Sequence, residues 1–416
     1  MTAHSTPRDT GQVTGRDRRA RLAAYAAFAV QGLCFASLVT QVPRIQKAHE
    51  LSDATLSLVL LMVPLVAGLG SVLAGAVFAR AGSGPVLRVA QPAVCATIVL
   101  IGVSGDDVTL YAAVALFGLF VGAVDAAMNA QGIAVERRYG MSLITGCYAV
   151  WSVAGILGGL WASLSNRVDL SLPAGFAVAA AIGLAGTLST GHLLYRRREE
   201  GDGPSAEELK AAGRRVPWRP ILVVGTAMAV FYLADAALSN YGAKYLDDEL
   251  GGSDWVAPLG YVAYQIAMVA SRAVADFGVR RWGAVRVVRG GGTIGLVGMA
   301  GVVAAPDAAV AIAAFAVAGL GLSVIAPVSY SAAGKVDPTG LGVAVARVNV
   351  FNYVGFVLGA AVVGAVAPID PDHGLRLAFI VPTLLVLLVF VTAKGFDPVV
   401  EDATRPGAPA VERPAV

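Results

Sequence analysis

What most constrains this chain is the recurrence of apolar runs long enough to cross a bilayer. They fall at 22–42, 54–79, 86–104, 108–132, 142–165, 171–194, 219–241, 254–277, 285–304, 307–331, 341–367 and 374–394. A helix needs about 20 such residues to traverse the hydrocarbon core. The runs are long and lack the strict alternation of barrel strands, which points to helices. Only 14% of the residues are charged, against 56% hydrophobic. A water-soluble chain of this length would need far more charge to cover its surface, whereas lipid solvates an apolar exterior. The expected fold class is an all-α polytopic membrane protein with 12 transmembrane helices.

Lys and Arg are distributed unevenly between alternate loops. With both termini on one side, 24 of the 31 lie in the tails, the loops and the adjoining span ends of that side. Arg44, Lys47, Arg167, Lys244 and Arg376 lie on the other side, and Arg272 and Arg347 fall inside spans. This positive-inside bias predicts cytoplasmic termini in a bacterial-type inner (plasma) membrane. A missed span would exchange the side of every later loop, so the bias also supports the even count. The longest internal polar segment, 195–218, separates spans six and seven and divides the chain 6+6. It predicts an N-terminal six-helix bundle at 22–194 and a C-terminal one at 219–394, joined by a solvated cytoplasmic linker with no chemistry of its own. Residues 1–21 and 395–416 read as disordered cytoplasmic tails. The basic N-terminus does not read as a cleaved signal, because the apolar run after it is too long. The halves also echo each other: Gly155 and Gly159 in span five match Gly355 and Gly359 in span eleven.

Ionisable side chains inside spans cost roughly 2.5–3.5 kcal/mol and persist where they face a cavity or a partner. Span four places Gly118, Gly122, Asp125, Asn129, Gly132 and Glu136 on one narrow stripe at helical spacing. Asp125 is the first candidate for proton coupling, with Asp235 of span seven as its second-half counterpart. Amides, hydroxyls and aromatic faces collect around them: Gln31, Asn129, Tyr148, Trp151, Tyr232, Tyr261, Tyr264, Gln265, Asn349, Asn352 and Tyr353. These are the groups a small polar organic solute needs, although each alone is more often a contact between helices. Arg80, Glu136, Arg272 and Asp276 are the gating candidates, the last two being spaced to pair along one helix. Cys34, Cys95 and Cys147 lie in apolar runs and the four histidines are scattered, so neither a disulfide, a metal site nor a cofactor is expected.

These residues resemble the major facilitator superfamily over about 20–395. The loop after span two, Gly75 to Gly82, is similar to that family's Gly-x-x-x-Asp-Arg-x-Gly pattern, with Gly75, Arg80 and Gly82 in place and Ala79 where the acid stands. The second-half counterpart, Arg272 to Gly278, keeps an acid at Asp276. Span four lacks the arginine of the family's drug antiporters, and Gly122-Ala-Val-Asp125-Ala-Ala-Met-Asn129 looks more like the fucose–proton symporter branch and a related bacterial subgroup without assigned substrate. The resemblance implies two pseudo-symmetric bundles and a proton-coupling role for Asp125 beside the cavity amide Asn129.

The expectation is a secondary active transporter of a small organic solute, working by alternating access with protons as partner. Alternatives are a drug or natural-product efflux antiporter of the same fold and, more remotely, a transport-inactive sensor. No nucleophile–base pair or metal motif suggests an enzyme. Besides the solute and protons, the lipid bilayer is the expected partner, nucleic acid is not, and a monomer is the default.

Overall fold

The structure, a computed structural model, describes residues 13–141, 143–200, 206–339, 342–370 and 373–396. The expected tails therefore lie largely outside the described residues. The first half is built from α1 (Gly15–Val39), α2 (Asp53–Ala81), α3 (Ser83–Val103), α4 (Asp107–Tyr139), α5 (Ile144–Arg167) and α6 (Leu172–Thr190). The second half holds α7 (Trp218–Lys244), α8 (Leu259–Trp282), α9 (Ala284–Ala304), α10 (Ala308–Val336), α11 (Val343–Val366) and α12 (Gly374–Phe396). Among the described residues there is no strand. Eleven of these rods are long and apolar enough to cross a membrane. α8 is the twelfth, and its hydropathy is diluted by Gln265, Arg272 and Asp276. The protein is thus an all-α polytopic bundle in two halves of six helices.

The two halves repeat one packing scheme. α1 lies on α5, α2 and α3 on α4, and α3 on α6; α7 lies on α11, α8 and α9 on α10, and α9 on α12. The halves meet through α2 against α11 and α5 against α8. Local chemistry repeats as well. Asp106 caps α4 by accepting the Thr109 N–H, and Asp307 caps α10 by accepting the Val310 N–H, each at 2.9 Å. The turns into α3 and α9 pass through Gly82 (φ 86°) and Gly283 (φ 83°), a left-handed backbone that a side chain would strain.

Three features differ from the sequence expectation, each for a physical reason. α1 begins at Gly15 rather than 22, because Thr14 and Asp17 form a capping box that starts the helix inside the polar segment. Segment 195–218 is not merely solvated. Arg16 pairs with Glu199 at 2.7 Å, and the Glu200 carboxylate accepts the Ser83 N–H (2.9 Å) and the Gln131 amide (3.1 Å). Glu200 thereby brings an acid to the turn after α2, where position 79 lacks one. Its other end forms a helix, Ala206–Arg215, held by Arg347 through the Gly213 and Val216 carbonyls at 2.6 and 2.8 Å. Arg347 therefore serves the linker from the start of α11. The glycine echo also resolves differently in each half. Gly355 and Gly359 face the α7 backbone, whereas Gly155 and Gly159 face Tyr261 and Val262 of α8, across the interface.

Candidate functional site

Between the halves lies a cavity with a volume of about 220 Å³. Its wall comes from α1, α2, α4 and α5 on one side and α7, α8 and α11 on the other. Among the described residues, three charged ones line it: Asp125, Asp235 and Arg272. α4 reaches it by lying directly on α2: a Cβ at Gly122 would fall 1.8 Å from the Ala67 carbonyl oxygen. That backbone contact sets Asp125, about one turn further along, at the boundary between the halves.

Asp125 is joined to both halves. Tyr353 of α11 donates its hydroxyl to Asp125 Oδ2 at 3.0 Å. Asn129 donates to the Asp125 carbonyl (2.9 Å), and Tyr148 donates to Asn129 Oδ1 (3.0 Å). Asp235 has a simpler setting, accepting the Tyr264 hydroxyl on Oδ1 at 2.8 Å. Trp151 Nε1 donates to Gln31 Oε1 at 2.9 Å, fixing both side chains in the wall. Phe35, Phe117, Phe231 and Phe356 supply much of the remaining surface, so the cavity is aromatic and apolar with a few polar groups aimed into it.

The structure gathers most of the sequence candidates here. Gln31, Asp125, Tyr148, Trp151, Tyr232, Asp235, Gln265, Asn352 and Tyr353 all line the cavity. Tyr261 and Tyr264 are fully buried behind the wall, where they hold Gln265 and Asp235. Asn129 and Asn349 also lie outside the wall, bonded to Tyr148 and Tyr330. The gating candidates are dispersed. Arg80 offers its carbonyl to Arg197 of the linker. Glu136 accepts the Leu143 and Ile144 N–H groups at 2.7 and 3.1 Å, so here it caps α5. Arg272 stands in the cavity wall, and the Asp276 side chain lies outside the described residues.

Sequence reasoning missed two sets of residues. The phenylalanines of the wall carry no signal, because an aromatic residue in a span reads equally as core or lipid contact. The second set closes the end of the bundle opposite the termini, here the far end. Lys47 pairs with Asp247 (2.7 Å) and Asp254 (3.2 Å), and Lys244 with Asp53 (3.0 Å), all between halves. Asn166 and Ser163 donate to the Asp254 and Trp255 carbonyls at 2.7 and 2.6 Å. Among the described residues, every ion pair between the halves lies at this end. Tyr148, near the start of α5 at the other end, is 38% exposed although it lines the cavity. The cavity is thus closed at the far end and reached from the end that bears the termini.

Two repeated six-helix halves around a cavity between them invite comparison with known carriers. The sequence pattern of the Major Facilitator Superfamily matches residues 24–339 and 224–416. The chain belongs to that superfamily. This facilitator is 28% identical over 372 residues to an uncharacterized MFS-type transporter of Yersinia pestis, covering 89% of this chain and 94% of the relative. Its fold is similar to that of a bacterial homolog of the human lysosomal transporter Spinster in an inward-facing, unoccupied conformation. There the TM-score is 0.73 at 13% identity, over 93% of this chain and 98% of that one. It is also similar to the superfamily transporter FucP in the outward conformation, with a TM-score of 0.62 at 14% identity over 91% and 98% of the two chains. The facilitator is a multi-pass membrane transporter.

Proposed function

We propose that this facilitator moves a small organic solute across the plasma membrane by alternating access, coupled to protons, with both termini in the cytoplasm. The observation that carries the reading is the position of Asp125. It is an acid in the cavity wall, on the first half, and it accepts a hydrogen bond from Tyr353 of the second half at 3.0 Å. A proton on this carboxyl changes what Tyr353 can donate to, so occupancy of the site biases the contact between the halves. Rocking of the halves about the cavity then exposes Asp125 and the solute to each side in turn. Asp235, held by Tyr264 on the other half, is the second proton-binding candidate. Arg80 and Glu136 remain candidates for contacts made when the termini end closes.

The test is proton flux in proteoliposomes with a trapped pH dye, for wild type and Asp125→Asn. The variant is expected to lose proton-driven accumulation while retaining solute exchange. Accumulation at the wild-type level would remove Asp125 from this role.

A further inference from the structure

We propose that Arg272 and Gln265 form the solute subsite and that it takes a hydroxyaryl carboxylate, an organic anion with an aromatic body. This assignment of solute class rests on the transporter reading above. Among the described residues, Arg272 is the cation of the cavity wall. It lies within electrostatic reach of Asp235, Tyr232 and Tyr264. None of the ion pairs among the described residues includes it. Asp235 accepts the Tyr264 hydroxyl on Oδ1 at 2.8 Å. A guanidinium presents five N–H donors in a planar fork, and a carboxylate answers two of them at once. In an apolar wall a carboxylate that forks onto this guanidinium offsets its desolvation, which favours a bound anion over a neutral polyol.

Gln265 stands two turns earlier on the same face of α8, about 10 Å along the axis. Its Nε2 donates to the Tyr261 hydroxyl at 2.8 Å. Among the described residues its Oε1 has no donor, and an O–H or N–H of a solute that reaches it would be answered there. Met268 lies between the two on α8 and lines the cavity together with Phe231, Tyr232 and Phe356. A ring fits this slot, with a carboxylate toward Arg272 and a hydroxyl toward Gln265.

The test is ligand-induced thermal stabilisation of the purified full chain in nanodiscs. The probes are 3-(4-hydroxyphenyl)propionate, its amide, tyramine and 3-phenylpropionate. The hydroxyaryl carboxylate is expected to raise the unfolding midpoint saturably, at concentrations at least tenfold lower than the amide or tyramine. Arg272→Gln is expected to reduce its affinity to that of the amide and to leave the amide unchanged. Arg272→Lys keeps the charge but not the fork, and is expected to recover part of the loss. It also serves as the variant if Arg272→Gln does not fold, a threefold or larger loss for the carboxylate alone being the expected result. Gln265→Leu is expected to weaken the hydroxylated probe and spare 3-phenylpropionate. The assignment is overturned if tyramine binds as well as the carboxylate, if neither carboxylate binds, or if Arg272→Gln leaves carboxylate affinity intact. Binding is read here without protons or flux, so it stands or falls separately from the coupling assigned to Asp125.

Discussion

At the far end of the bundle, Lys47 reaches from the first half to Asp247 and Asp254 of the second, and Lys244 reaches back to Asp53. At the termini end, Arg16 pairs with Glu199, Glu200 holds Ser83 and Arg347 holds the linker, each contact staying on one half. The contrast separates two jobs. Contacts between halves must break when the bundle rocks, so they set the balance between conformations. Contacts within a half survive that motion and set only the stability of the half. Removing a member of the first set is expected to shift a population; removing a member of the second is expected to shift only an unfolding midpoint.

The largest shift is expected from Lys47→Gln. Lys47 is 55% exposed, but the Asp247 side chain is only 5% exposed. Without Lys47 the closed far end retains a buried carboxylate that has lost its cation, whereas opening rehydrates it. The cost to the closed state lies between that of a buried and an exposed pair, about 2 kcal/mol, or roughly thirtyfold in population. Spin labels at Val168 and Pro306, one on each half at the far end, read this as a second, longer distance in a background with Cys34, Cys95 and Cys147 replaced by alanine. An unchanged distance distribution would mean that the seal is held by the packing of α5 on α8 and not by charge.

Asp53→Asn sharpens the same comparison with a smaller effect. It removes the contact of Lys244 with the other half, yet Lys244 keeps Asp248 within its own half. No buried cation is left alone, so the expected cost is below about 1 kcal/mol, up to fivefold in population, and it shrinks as salt is raised. A shift as large as that of Lys47→Gln would mean that Asp53 does more than answer Lys244.

The spans, the 6+6 division and most of the polar cavity residues were legible in the sequence because each depends on local pattern. Twelve apolar runs, an intramembrane acid at Asp125 and amides at helical spacing carry their meaning wherever the chain goes. α8 was legible as a span despite Arg272 and Asp276, since its neighbours required a helix there to keep the basic loops on one side. The far-end pairs were not legible, because Lys47 and Asp247 are remote in sequence and each reads alone as an ordinary loop charge. The docking of the linker was hidden for the same reason: Glu199 and Glu200 lie in a charge-rich run that looks solvated, and their partners Arg16 and Ser83 lie in the first half. Gly155 and Gly159 show the limit of pattern matching. Their spacing equals that of Gly355 and Gly359, yet the two pairs face different neighbours, because spacing gives a face but not the helix it meets.

The smallest effect is expected from Glu199→Gln, and its kind matters more than its size. The Arg16–Glu199 pair is partly exposed, with side chains 35% and 31% accessible, so its contribution to stability is well under that of a buried pair. The hydrogen bond from the Arg16 guanidinium holds the Glu199 carboxyl below its ordinary value of 4.5. A depressed acid stabilises the folded state fully above 4.5, and that contribution is lost as the pH falls through the lower folded value. The unfolding midpoint of wild type should therefore drop slightly more than that of Glu199→Gln between pH 7 and the pH range below 4.5. The distances between labels at Val168 and Pro306 should be the same in both proteins. A longer far-end population in Glu199→Gln would show that the linker contact senses the state of the opposite end, and the division between contacts that move and contacts that stay would have to be redrawn around it.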